Sequence, residues 1–106
     1  MAQRNLVRRP AAQRDLAEAV AYLVTEGGSA FGHRFLDELE AAFGRLCSFP
    51  HLGKLWPTTK RELTGLRRWP LAHFPYSVFY LPTETTIEIV RVLHNSRDLP
   101  PLLEDL

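Results

Sequence analysis

Leu16, Ala19, Val20 and Leu23 recur at i, i+3, i+4 and i+7. That spacing lays one apolar stripe along a helix, predicted over residues 11–26, with Arg14, Glu18 and Thr25 on its other faces. Pro10 stands just ahead and supplies a helix-compatible φ at a first-turn position. Gly27 and Gly28 end the pattern, because glycine accepts the left-handed conformation that a helix C-terminus needs. Ser29 is placed to cap a second helix over 29–48. Phe31, Phe35, Leu39, Ala42, Phe43 and Leu46 run down one face of it as far as Phe49-Pro50, and Asp37, Glu38, Glu40 and Arg45 lie largely elsewhere. Two amphipathic helices joined by two glycines predict a helical hairpin. Its combined apolar face is too large to leave in water.

The second half changes period. Leu66–Ala72, Tyr76–Leu81 and Thr86–His94 are strand candidates rich in aromatic and β-branched residues. Pro70 marks the first as an edge or bulged strand, and Pro82–Thr85 is short enough for a hairpin turn. Residues 51–65, punctuated by Gly53, Pro57 and Gly65, read as a loop with at most a short helical turn. In the last strand Ile87, Ile89 and Leu93 face one way, and Glu88, Val90, Val92 and His94 the other. Apolar residues on both sides require something to cover the second face. Asn5–Arg9 adds a short extended segment at the front, and residues 95–106, with Pro100-Pro101, form a tail. Helices first and strands after, without alternation, predict an α+β fold: a helical hairpin packed on one face of a small antiparallel sheet.

Composition narrows the picture without redirecting it. The 106 residues, 45% hydrophobic and 24% charged, point to one globular domain over 1–106. The net charge of +1 is too small to argue for nucleic acid. Local charge is more telling: Arg4, Arg8, Arg9 and Arg14 stand at the front, Lys54, Lys60, Arg61, Arg67 and Arg68 in the middle, and Glu104 and Asp105 at the end. Cys47 is the single cysteine, so no intramolecular disulfide can form, which fits a reducing compartment. No apolar run approaches the roughly 18 residues of a membrane span, and the first residues lack a signal-type segment. The expectation is a cytoplasmic protein without membrane contact. His33, His51, His73 and His94 are too far apart for a short ligand motif, and no glycine-rich phosphate loop is present. No metal or cofactor is expected.

Four segments carry a family resemblance. The first is AAQRDLAEAVAYL, with Asp15-Leu16 and Tyr22. The second is RFLDELEAAFGRLCSFPHLGK, a helix ending in a Phe-Pro…Leu-Gly turn. The third is LRRWPLAHFPYSVFYLP, an arginine-bearing strand followed by Tyr-x-Val-x-Tyr. The fourth is IEIVRVLHNSRDL, a strand ending in Val-Leu-His and then Arg97-Asp98. In this order and spacing the chain resembles the ParE-type toxins of the RelE/ParE toxin–antitoxin superfamily over nearly its whole length. The resemblance implies the fold just derived, with the N-terminal strand added to the sheet. It implies a gene paired with an acidic, ParD-like antitoxin. It also implies DNA gyrase as target, poisoned by protein–protein binding so that cleaved DNA accumulates, with no sequence-specific DNA binding by the toxin alone. The RelE branch, ribosome-dependent messenger-RNA endoribonucleases, shares the fold, so fold alone does not decide. A degenerate toxin that only binds its antitoxin is a further alternative.

Cleavage of a phosphodiester needs cationic groups where charge develops and a group that moves protons. Arg68 matches one RelE-type arginine, but Ser77 stands where a second is expected. Leu99-Pro100-Pro101-Leu102 stands where a tyrosine is expected. No catalytic residue is therefore assigned, and the chain is read as a binding protein, not an enzyme. The contact candidates are Arg67, Arg68, Trp69, Arg91, His94 and Arg97, since Trp and Arg are frequent binding hot spots. In a strand Arg67 and Trp69 share one face and Arg68 takes the other. Trp69 also reads as a core tryptophan flanked by solvated arginines. Arg91, in register with Ile87, Ile89 and Leu93, needs a carboxylate: Asp15 or Glu18 from this chain, or one from an antitoxin. His94, Arg97 and Asp98 read either as a target contact or as an ion pair fastening the C-terminal turn. The Tyr76–Leu81 strand reads as core, and Cys47 as a small buried residue.

Overall fold

The computed structural model describes residues 3–96. The element order is β1 (Asn5–Arg8), α1 (Pro10–Gly27), α2 (Ser29–Ser48), β2 (Lys54–Leu55), a 3-10 turn (Arg61–Leu63), β3 (Arg67–Pro70), β4 (Tyr76–Pro82) and β5 (Thr86–His94). Among the described residues no helix is long and apolar enough to cross a membrane.

The two helices form the hairpin that their stripes predict. Pro10 opens α1, and Ala12, Ala19 and Leu23 are its buried residues. Leu16 and Val20 pack beside them, partly covered. The turn is tighter than the sequence reading held. Gly28 alone links the helices, with φ of 87°, and its N–H bonds the Val24 carbonyl at 2.8 Å. Ser29 is thus the first residue of α2 and not its cap, and no side chain caps that end. The left-handed φ at Gly28 is one that a residue with a Cβ adopts only at a cost. α2 buries Phe35, Leu39, Ala42, Phe43, Leu46 and Cys47.

The sheet has five strands in the order β1-β5-β4-β3-β2. β3, β4 and β5 pair antiparallel, as expected; β2, inside the segment read as a loop, adds a further antiparallel strand beside β3, and β1 pairs parallel with β5, from Asn5 opposite Thr86 to Arg8 opposite Ile89. The sheet is therefore mixed. Parallel neighbours need a long crossover, and the helical hairpin and the rest of the sheet separate these two strands in sequence. β3 is not an edge strand, since β2 lies beside it at Arg67 and Arg68, but β2 does not reach Pro70, whose outer side has no strand beside it among the described residues.

Two cores lie on the two faces. On the helical face the hairpin covers Tyr76, Val78, Tyr80, Ile87, Ile89 and Val92. On the other, Leu63, Leu66, Phe79, Val90 and Leu93 are buried together, with Trp56 and Leu81 packed against them. The segment read as an irregular loop is what covers this second face, and it includes β2 and the 3-10 turn. The alternation read for β5 fails at one place. Phe79 pairs with Arg91 and Tyr80 with Ile89, which leaves Val90 as an extra residue in a β-bulge. Beyond it the faces exchange: Val92 joins Ile87 and Ile89 under the helices, and Leu93 joins Val90 on the other side.

Candidate functional site

The contact candidates fall into separate clusters, each placed by a different feature of the fold. Arg91 sits where β1 gives out. The last contact from the N-terminal side is Arg9 N–H to the Ile89 carbonyl at 3.0 Å. Past that point α1 takes over. One Asp15 oxygen accepts from Arg91 Nε at 2.6 Å and from the Val92 N–H at 3.0 Å, and the other accepts from Arg91 Nη2 at 2.8 Å. Asp15 thus pairs the arginine in a two-pronged bond and also closes the open strand edge. The hydrogen bonds that Arg91 donates to Asp15 raise its pKa; burial works against them, and the charges of Asp15 and Glu18 add to them. The partner is a carboxylate of this chain, which leaves Arg91 a structural role here.

Arg67 is likewise committed. Its Nη1 donates to the Gly53 carbonyl at 2.6 Å and to the His51 carbonyl at 3.3 Å. The opposing Tyr80 hydroxyl accepts from Gly53 N–H and donates to the Pro50 carbonyl, both at 2.8 Å. Burial pushes the Tyr80 pKa up, with the Gly53 N–H and the Arg67 charge acting against it, so the phenol stays neutral and can donate. Together these side chains clamp the turn between α2 and β2. Gly53 leaves no room for a side chain: a Cβ there would lie 2.8 Å from the Arg68 carbonyl and from the Tyr80 ring and hydroxyl.

Arg68 points to the opposite face, as strand alternation predicts. Its Nε donates to Ser77 Oγ at 3.0 Å and its Nη2 to Asn95 Oδ1 at 3.3 Å, while Ser77 Oγ donates to the same Asn95 oxygen at 2.6 Å. The guanidinium lies 5.2 Å from the Trp56 ring, and Trp56 meets Phe79 edge-on at 5.5 Å. Ser77, which stands in place of an expected arginine, is fully buried. It orients Arg68 and does not face outward. Trp56 and Asn95 were not among the sequence candidates. An arginine needs a surface to lie on, but nothing in their spacing from Arg68 announces these two. The result is a partly buried, preorganised guanidinium on an indole face, a contact favourable through cation–π attraction.

His94 stands at the end of β5. Its ring meets Tyr76 edge-on at 5.1 Å, and its Nδ1 accepts from the Ser96 N–H at 3.1 Å. It lines a cleft of about 490 Å³ with Asp15, Glu18, Tyr22, Tyr76 and Ser96. Trp69 is partly buried against the helical-face core and also lines a smaller groove beside Ala41, Ala42 and Arg45 of α2. Arg97 and Asp98 lie outside the described residues. No group of three His, Cys, Asp or Glu side chains able to hold a metal ion occurs among the described residues. Burial raises the Cys47 pKa, which keeps the thiol in its unreactive form.

The described residues thus form a hairpin of helices on one face of a small mixed sheet, with arginines on the sheet and at its edge. One solved structure like this chain is the chromosomal ParDE system from P. aeruginosa. It has a TM-score of 0.71 and 18% identity, covering 87% of this chain and 96% of that one. Another is the RelBE2 toxin–antitoxin complex from Mycobacterium tuberculosis, with a TM-score of 0.56, 25% identity, and coverage of 88% and 99%. No curated relative matches the chain. The model of the family described as "ParE toxin of type II toxin-antitoxin system, parDE" matches residues 6–99. The chain belongs to that family of type II toxins.

Proposed function

We propose that this toxin poisons DNA gyrase by binding it, and that a cognate acidic antitoxin neutralises it by covering the toxin. The observation that carries the reading is the Arg68 cluster. A guanidinium held by Ser77 and Asn95 and resting on Trp56 is fixed before any partner arrives, so little side-chain freedom is lost on docking. Rigid arginine and tryptophan are the residue types that most often dominate an interface. The same cluster speaks against strand cleavage. Ser77, which replaces one cation, is buried and bonded to Asn95, and therefore offers no charge to a phosphate.

Type II systems set a toxin against a protein antitoxin, and the long helical hairpin with its flanking grooves offers ample area for an extended partner. A segment that orders on binding loses chain entropy yet can wrap a large surface. The reading is tested by adding purified toxin to gyrase with relaxed plasmid, with and without the acidic protein encoded beside its gene. Supercoiling should stop with toxin alone and resume when the antitoxin is present. Undiminished supercoiling at saturating toxin defeats the gyrase assignment. Calorimetric silence between the two proteins at high micromolar concentration defeats the antitoxin assignment.

A further inference from the structure

The turn between α2 and β2 carries side chains for which the fold itself has no use. Phe49, Leu52 and Leu55 are 62%, 41% and 65% exposed. They are three of the six large exposed apolar side chains among the described residues, and they fall within seven positions. The turn that bears them is not loose. Tyr80 bonds both Pro50 and Gly53, and Arg67 bonds the His51 and Gly53 carbonyls. A fixed backbone that holds three apolar side chains in water, two of them lining one cleft, is the kind of surface that interaction sites use.

Its surroundings state what would fit. From Ala41 to Arg61 the chain has no Asp or Glu, yet it has Arg45, Lys54, Lys60 and Arg61. A shallow cleft of about 450 Å³ beside the turn is lined by Arg4, Ser48, Phe49, Pro50, His51 and Leu52, again without a carboxylate. β2 is the end strand of the sheet, so the outer side of Lys54-Leu55 meets no other strand among the described residues. Apolar knobs, a basic rim and an open strand edge complement an acidic segment with apolar side chains. A second copy of this chain fits poorly, because two such faces would bring like charges together.

We propose that this turn docks an acidic, apolar segment of the antitoxin, its apolar side chains over Phe49, Leu52 and Leu55 and its carboxylates toward Arg4, Arg45 and Lys54. The inference rests on the antitoxin reading above and adds to it the surface that the antitoxin uses.

The test is calorimetry of the full chain with the cognate antitoxin for wild type, Leu55→Asp, Leu55→Lys, Phe49→Ser and the double variant Leu52→Asp/Leu55→Asp. These side chains are exposed, so folding should survive, and thermal melts verify it. Leu55→Asp should weaken binding at least about tenfold and the double variant at least about a hundredfold. Leu55→Lys should cost less than Leu55→Asp, because lysine keeps the sign of the rim. Phe49→Ser supplies an independent reading if a double variant melts early, and should itself cost at least about fivefold. Unchanged affinity in the variants, with wild type binding tightly, overturns this surface and leaves the antitoxin reading intact. Failure of wild type to bind overturns both. A wild-type dimer in sedimentation that Leu52→Asp/Leu55→Asp dissociates would make the patch a self-interface and also overturn the proposal.

Discussion

Replacing Asp15 by alanine probes the joint that connects the hairpin to the sheet. The Arg91 and Asp15 side chains are only 16% and 9% exposed. The substitution removes both bonds to the guanidinium and the acceptor for the Val92 N–H at a single stroke. Breaking a buried pair by deleting one partner costs about 3–5 kcal/mol, because the remaining charge is stranded. An orphaned buried N–H alone costs about 1–3 kcal/mol. Glu18 lies within electrostatic reach of Arg91 and the arginine keeps some access to water, so the loss should fall at the lower end. The expected destabilisation is about 3 kcal/mol, against a total of roughly 5–15 kcal/mol for a domain. Asp15→Asn should cost less, since an amide oxygen can still accept from Val92. Urea unfolding of Asp15→Ala, Arg91→Met and the double variant gives the cycle. The single changes should sum to more than the double by about 1 kcal/mol or more. A cost for Asp15→Ala within about 0.5 kcal/mol of zero, as for an unremarkable surface position, or strict additivity, would refute the assignment of Asp15 as the edge-closing partner.

Further expectations concern the core, the turn, the contact face and acid stability. Phe43, 2% exposed, should cost about 3–5 kcal/mol on truncation to alanine, read by chemical denaturation. Tyr80→Phe should cost about 1–3 kcal/mol by leaving the Gly53 N–H and the Pro50 carbonyl without their partner, and Gly53→Ala should melt earlier still through overpacking. Arg68→Ala should lose about 2 kcal/mol or more of gyrase affinity in a binding titration, with Arg97→Ala the second choice; equal binding by both variants would remove these residues from the interface. Burial acts to raise the Glu38 pKa, but bonds from the His73 amide and ring and the Ala72 amide outweigh it, and the net shift is below the ordinary 4.5. Glu38 therefore stabilises the fold fully above pH 4.5, and that contribution fades as pH falls through its lowered native value. Acid unfolding curves of wild type and Glu38→Gln should converge at the acid end, and a constant gap across the range would contradict this.

The architecture was legible wherever one residue period ruled one element. The stripes of Leu16–Leu23 and Phe35–Leu46 gave both helices, because each buries a single face against a single layer. Strand alternation placed Arg68 opposite Arg67 and Trp69 for the same reason. It failed in β5, where the extra residue at Val90 exchanges the faces, and no residue type announces a bulge without a glycine. The parallel pairing of β1 was hidden too, since four residues carry no signal of direction. The site was legible in its residue types more than in their roles. An arginine among apolar neighbours announced a need for a carboxylate, and Asp15 met it. Alternation set Arg67 and Arg68 on opposite faces but named no partner for either. Only the fold brings the Gly53 and His51 carbonyls to the one and Ser77, Asn95 and Trp56 to the other. Both sets of partners are remote in sequence or lie in a segment without a period.

The central claim, that this toxin acts on gyrase by binding and does not cut RNA, is tested most directly by dosing one preparation into two reactions. One contains gyrase, ATP and plasmid, followed by denaturation and protease treatment to reveal trapped cleaved DNA. The other contains ribosomes stalled on a defined message, followed by mapping of the message at the A site. Linear, gyrase-cleaved plasmid rising with toxin, alongside intact message, is the predicted outcome. Message cut at the A site while gyrase runs unimpeded would contradict the account and place the chain's activity with the ribosome-dependent nucleases that share its fold.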